Sequence, residues 1–144
     1  MRIKAKLMNT KDPQFLPSRK YPQDAGADLR ARIDQNFALV QGQMMKIPTG
    51  VAVEIPEGYV GLVIARSGAT TEGKVTLIGA VDHGYTGEIS MNVINLARGV
   101  VKIEVAERLA QLIVVPCLIA EFILADELGE SDRGSNGFGS SGRD

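Results

Sequence analysis

The stretch GAVDHGYTGEI, residues 79–89, joins two apolar runs through a glycine-rich turn, which is a hairpin signal. Asp82, His83 and Tyr85 crowd that turn. A carboxylate at a strand end can act as a general base toward water if a substrate is held beside it. A tyrosine three residues later can stack on a ring or wall a pocket. The competing account is a plain turn in which Asp82 bonds its own backbone. His83 is the only histidine and Cys117 the only cysteine, so zinc sites and His-dependent triads lack their partners. His83 reads as an exposed turn residue, and Cys117, in VVPCLIAEF, as a small core residue.

Three further clusters carry groups suited to anions or metals. In ARSGAT, residues 65–70, a strand ends and Arg66-Ser67-Gly68 opens a helical turn. Backbone N–H groups there point outward, with serine and arginine donors beside them, so a phosphate would fit. The plainer account is an ordinary serine cap with a solvated arginine. In AGADLRA, residues 25–31, alternation turns Asp28 away from the apolar set, where it could accept from a metal's water or fix an arginine, the plainer account being a solvent-facing strand residue. In AERLAQLIV, residues 106–114, Gln111 takes the polar face of a strand. From Ser131 onward the chain is almost all Gly, Ser and charge, with Arg133 early and Phe138 between two glycines. Such a segment buries too little apolar area to offset its ordering entropy, and on composition alone it reads as a frayed terminus.

Strands must position these groups. IKAKLM sets Ile3, Ala5 and Leu7 on one side, and ADLRARI does the same with Ala27, Leu29, Ala31 and Ile33. MMKIP, VAVEIP, YVGLVIA, KVTLIGAV, EISMNVIN, VVKIEV, RLAQLIVVP and AEFILAD follow, with Gly or Pro at the breaks. Roughly ten short strands at regular spacing predict an all-β sandwich or barrel, with one short helical turn at 67–73. A length of 144 residues predicts one domain. A formal net charge of −1 offers no basic footprint for nucleic acid, so any anion site must be local. The start, MRIKAKLMN, has no signal-peptide core, and no apolar run reaches membrane-spanning length. The expectation is a cytoplasmic protein with neither nucleic acid nor membrane as partner.

Taken in order, AGADLRA, RSG, GAVDHGYTGEI, AERLAQLIV and RGSNGFGSSG resemble the five motifs of the trimeric dUTPase (deoxyuridine 5′-triphosphate nucleotidohydrolase) family, from residue 25 to residue 142. RSG alone is worthless as a signal; the Asp-x-x-Tyr-x-Gly turn with a Gly-Phe-Gly tail is specific. The resemblance implies a jelly-roll-like β-sandwich or distorted barrel over 1–130. It also implies a flexible arm over 131–144 that closes on a neighbouring subunit's site in a homotrimer. The implied reaction is dUTP and water giving dUMP and pyrophosphate, with Mg²⁺ carried on the triphosphate. Such an enzyme limits uracil incorporation into DNA and supplies dUMP for dTMP synthesis.

The resemblance also assigns roles. Asp82, Arg66 and Asp28 would be the catalytic residues. Asp82 would activate the water and contact the 3′-hydroxyl, and Asp28 would hold the metal's water shell. Tyr85 would pack under the deoxyribose. The stretch from Thr76 through Gly79 to Ala80 would pair with the uracil edge. Ser67, Gly68 and Gln111 would meet phosphate. Arg133 would reach the γ-phosphate, Phe138 would stack on uracil, and Gly139, Ser140 and Ser141 would lie nearby. Thr76 replaces a common asparagine, Ala106 the usual glycine before Glu-Arg, and Ser135-Asn136 a more glycine-rich pair. A dCTP deaminase would need a glutamate where Asn92 stands and tends to carry a tryptophan in place of Tyr85. A nucleotide-binding module for a protein partner tends to carry an insertion between motifs, and the loops here are short.

Overall fold

Eleven short strands, one 3-10 turn and one five-residue helix make up the regular structure of residues 1–137, the part that the computed structural model describes. The strands are β1 (Ala5–Leu7), β2 (Ala27–Arg30), β3 (Phe37–Leu39), β4 (Met44–Pro48), β5 (Val51–Val53) and β6 (Tyr59–Ala65). After the helix α1 (Ser67–Thr71) come β7 (Lys74–Thr76), β8 (Gly79–Val81), β9 (Ser90–Asn95), β10 (Val101–Ile103) and β11 (Arg108–Pro116). Every pairing is antiparallel. One sheet has the order β2-β11-β6-β8, a second β4-β9-β7, and β1-β5 and β10-β3 form two-stranded ribbons. This is the expected all-β sandwich, and its sheets do not close into a barrel.

Period-two alternation explains the core. Met91, Val93 and Asn95 on β9 are buried while Asn92 faces water, and Ala27, Leu29 and Ala31 are buried along β2 and just past it. Full burial of side chains such as Leu29, Ile47 and Ile103 is worth about 1.5–3 kcal/mol each. The register of β11 against β2 slips between Arg108 and Ala110. A bulge of this kind lets neighbours share a face, and Leu109 and Ala110 are both fully buried. Asn95 is buried without cost because its amide donates to the Leu39 and Gly99 carbonyls and its oxygen accepts from the Ala97 N–H.

Four sequence expectations need correction. KVTLIGAV is two strands, since β7 pairs with β9 and β8 pairs with β6, and the chain changes sheet at Leu77–Ile78. AEFILAD forms no strand: it has no ladder partner, and Phe122, Ile123 and Leu124 are almost wholly exposed. Cys117 is half-buried beyond the end of β11 rather than in the core. On β1 the expected inner face is weak, because Ala5 is exposed and Ile3 and Leu7 only half-buried.

Two contacts hold the helix and the turn before β11 in place. The buried Lys74 ammonium bridges Glu72, at the end of α1, and Glu107, at 2.8 and 2.5 Å. Burial by itself would lower the Lys74 pKa, but the hydrogen bonds and charges of Glu107 and Glu72 outweigh it and raise the value above 10.5. Glu104 and Glu107 close a four-residue turn by a 3.2 Å backbone bond. Its third residue, Ala106, has φ of 59°, a place where glycine is usual.

Two outcomes follow. Ala106→Gly should stabilise the chain by roughly 0.5 kcal/mol, because relief of left-handed strain of about 1–2 kcal/mol exceeds the entropic cost of glycine. A denaturant midpoint below that of the parent chain would contradict it. Lys74→Met should destabilise by about 2–3 kcal/mol near neutral pH by stranding Glu107. Because the folded pKa is raised, the Lys74 contribution is complete below about 10.5 and fades as pH climbs through the folded value. Urea titrations from neutral to strongly alkaline pH should therefore show the gap between variant and parent narrowing only above that point.

Candidate active site

The register of β2 on β11 places Gln111 opposite Asp28, and the end of β6 brings Arg66 to the same edge. Asp28 is mostly buried and holds two guanidinium groups: Arg66 Nε donates at 2.6 Å and Arg108 Nη1 at 3.2 Å. Arg66 is further held by Nη1 donating to the Arg108 carbonyl at 3.0 Å. Of the two chemistries open to Asp28 from sequence, the arginine-fixing one is therefore visible. Ser67 and Gly68, at the start of α1, are exposed. Gln111 Nε2 lies 3.4 Å from the Ala65 carbonyl.

Asp28, Arg66, Ser67 and Gln111 line one cleft of about 380 Å³. Gly26 is part of its wall, and a Cβ there would run into the Gln111 side chain, so the glycine is what leaves Gln111 its position. Lys20, Tyr21 and Asp24 complete the rim. None of these, nor Arg108, stands out in the sequence as a site residue. A lysine in a polar loop looks like any solvated lysine, and Arg108 meets Asp28 across 80 positions of chain.

A second group forms where β8 ends. Asp82 is exposed at the head of a turn closed by the Tyr85 N–H donating to the Asp82 carbonyl at 3.2 Å. The Tyr85 hydroxyl donates to the Glu88 carbonyl at 3.0 Å, which fixes the ring with about half its surface exposed. Gly87 lies under that ring, where a Cβ would collide with it. His83 is exposed, as expected, but its Nδ1 also lies 2.9 Å from the Ile55 carbonyl and ties the turn to the core. Gly79 is open to solvent, and Leu77 and Ile78 beside it are exposed. Thr76 differs from its neighbours: it is buried, and its hydroxyl donates to the Leu109 carbonyl at 3.2 Å.

Register sets the distance between the two groups. Val81 lies opposite Gly61 and Ala110 opposite Ala65. Asp82 is thus level with Val60, six residues along β6 from Arg66, or roughly 20 Å at about 3.3 Å per residue. A single chain does not bring Asp82 and Tyr85 to the Arg66 cleft.

Among the described residues no three acidic, histidine or cysteine groups converge as a metal cage. Arg133 is exposed in a turn, its Nε donating to the Asn136 carbonyl at 3.1 Å. Phe138, Gly139, Ser140 and Ser141 lie outside the described residues. No helix of the described chain is long and apolar enough to cross a membrane.

Residues 12–142 match the family model for dUTPase. A deoxyuridine 5′-triphosphate nucleotidohydrolase of Desulfitobacterium hafniense (strain DSM 10664 / DCB-2) is 43% identical over 88% of this chain and 87% of its own. One from Burkholderia cenocepacia (strain HI2424) is 35% identical over 99% of each. Among solved structures, the Staphylococcus bacteriophage 80alpha dUTPase with dUpNHpp superposes with a TM-score of 0.86 at 31% identity, covering 99% of each chain. A mutant dUTPase from phage phi11 of S. aureus, described with a structural Mg(II) ion, gives 0.77 at 27% identity over 90% of this chain and 100% of its own.

The Gly26 contact can be tested without a ligand. Gly26→Ala should push the Gln111 carboxamide out of the cleft, a flexible side chain giving way at a stability cost of less than about 1 kcal/mol. The expected signature is a shifted Gln111 side-chain amide resonance with a nearly unchanged unfolding midpoint. An unmoved resonance would show that the wall itself yields instead.

Proposed function

The chain belongs to the dUTPase family and hydrolyses dUTP, and from that premise we propose how its residues divide the reaction. The carrying observation is the pairing of an arginine-bearing cleft at one end of β6 with a carboxylate and a tyrosine ring at the other, too far apart to serve one nucleotide. A site that uses both is shared between chains, and a homotrimer with three such sites is the arrangement that the reading adopts. The tail supports it: Leu118, Ile119, Phe122, Ile123, Leu124 and Leu128 are each more than three-quarters exposed, an apolar load that a lone chain leaves uncovered.

In this reading Asp82 takes the proton of the attacking water as the water oxygen adds to the α-phosphorus and the bond from that phosphorus to the α–β bridging oxygen breaks, pyrophosphate leaving with that oxygen. Asp82 also accepts from the 3′-hydroxyl. Tyr85, its hydroxyl committed to Glu88, offers only a ring face to the deoxyribose and leaves no room for a 2′-hydroxyl. The backbone from Thr76 to Ala80 reads the uracil edge. The Thr76 hydroxyl takes no part, being spent on Leu109. Arg66, Ser67, Gly68 and Gln111 hold the phosphate chain in a second subunit. Asp28 pre-orients Arg66, so little reorganisation remains when charge develops.

Mg²⁺ is the cofactor of this reading. With no protein cage among the described residues, and both Asp28 oxygens accepting from arginines, it fits only as an ion carried by the triphosphate. Asp28 keeps lone pairs for one of the ion's waters. Bound there, Mg²⁺ supplies positive charge against the phosphate oxygens. The arm over 131–144 closes the site, Arg133 meeting the γ-phosphate and Phe138 stacking on uracil. Its closure excludes bulk water and strengthens each charge contact inside. The exposed Asn92 on β9 leaves no glutamate to shuttle protons for deamination.

Mixing chains tests the division. Asp82→Asn should lower kcat about 10²–10⁴-fold with dUTP and Mg²⁺, the usual worth of a general base. Arg66→Ala should be comparably poor. Unfolded together in equal amounts and refolded, the two variants should regain about a quarter of parental activity, since a shared site needs one intact contribution from each of two chains. No recovery above either variant alone would place both groups in one chain's site. Release of dUMP from dCTP rather than dUTP would overturn the reaction itself.

A further inference from the structure

The cleft around Arg66 has a charge problem if it is to hold several phosphates. Four charged side chains line it: Lys20 and Arg66 against Asp24 and Asp28. Their formal charges cancel. Arg66 already spends its Nε on Asp28 at 2.6 Å. Lys20 is the lining cation with no carboxylate partner among the described residues. Arg108, paired with Asp28 from outside the lining, brings the group to a net +1, and removing the Lys20 charge would leave no positive excess for a polyanion.

The loop that carries Lys20 is held in shape. Arg19 Nε donates to the Asp24 carbonyl at 2.7 Å, and the Tyr21 N–H donates to Asp24 Oδ2 at 3.1 Å. The Asp24 N–H closes the turn on the Tyr21 carbonyl at 3.1 Å, and the Asp28 N–H ties the loop's start to the Ser18 carbonyl at 2.7 Å. The Lys20 ammonium stands 5.4 Å from the centre of the Tyr21 ring, within cation–π range, so the ring gives it a seat at the rim without neutralising it.

We infer that Lys20 is a further oligophosphate-binding residue, outside all of the recognised motifs, and that the 18–25 loop presents it to the phosphates held by Arg66, Ser67 and Gln111. Tyr21 is then a positioning residue. This rests on reading the cleft as the triphosphate site, and the test separates the two. Pyrophosphate binding is measured by calorimetry on the full chain and on Lys20→Met, Lys20→Arg and Ser67→Ala, with dUTP kinetics beside it. Lys20→Met should weaken pyrophosphate about fivefold, as the loss of one solvent-exposed ionic contact would. It should raise KM for dUTP to a similar degree, with kcat within about twofold. Lys20→Arg should recover most of the affinity. If Ser67→Ala weakens pyrophosphate and Lys20→Met does not, Lys20 is a solvated surface residue and the inference fails alone. If neither variant changes pyrophosphate binding, the cleft does not hold phosphate, and both readings fail.

Discussion

The pairing of β6 with β11 is the constraint on which the rest depends. It runs unbroken from Ala110 opposite Ala65 to Pro116 opposite Tyr59. A ladder of this length is stiff, and it fixes two ends that cannot approach each other. Arg66 leaves one end; the other carries β8 to Asp82. The polar groups that ordinary phosphoryl chemistry gathers in one place are therefore kept apart by backbone hydrogen bonds. No rotamer change can bridge a gap several side chains wide.

Around each end, small local devices take freedom out of the side chains of the candidate site. Asp28 binds Arg66 and Arg108 together, and like charges can share one carboxylate because each guanidinium also has a carbonyl or solvent on its other side. Gly26 and Gly87 act by what they lack. Each leaves a neighbour, Gln111 or Tyr85, the space that a methyl group would take. His83 shows the same economy, a turn residue exposed on one side and tied to the Ile55 carbonyl on the other.

Much of this was legible in the residue pattern, for reasons that can be named. Alternation in ADLRARI predicts the buried face of β2 because one side of it meets the core. Alternation says which side of a strand is apolar, not which sheet it joins, so the crossing at Leu77–Ile78 was invisible within KVTLIGAV. Phe37–Leu39 is too short to show a period at all. AEFILAD has strand composition, but a strand needs a partner, and the described chain supplies none. Asp28, Arg66, Ser67 and Gln111 were legible through their motifs and do converge. Arg108 and Lys20 were not, since their significance lies in contacts and charge balance that only the folded arrangement creates. The roles of Phe138, Gly139 and Ser140 fall on residues outside those described.

The uncovered tail has a kinetic consequence. Residues 118–128 add no packing to the sandwich that precedes them, so the body can finish folding while those side chains still face water. If another copy covers them, as the proposed trimer would have it, that covering is a bimolecular event whose half-time lengthens in proportion to dilution. Until it happens, the same side chains are open to any other sticky surface, and a crowd of such chains can clump instead. Between these limits lies a concentration window for efficient refolding, with its floor set by encounter frequency and its ceiling by disordered clumping.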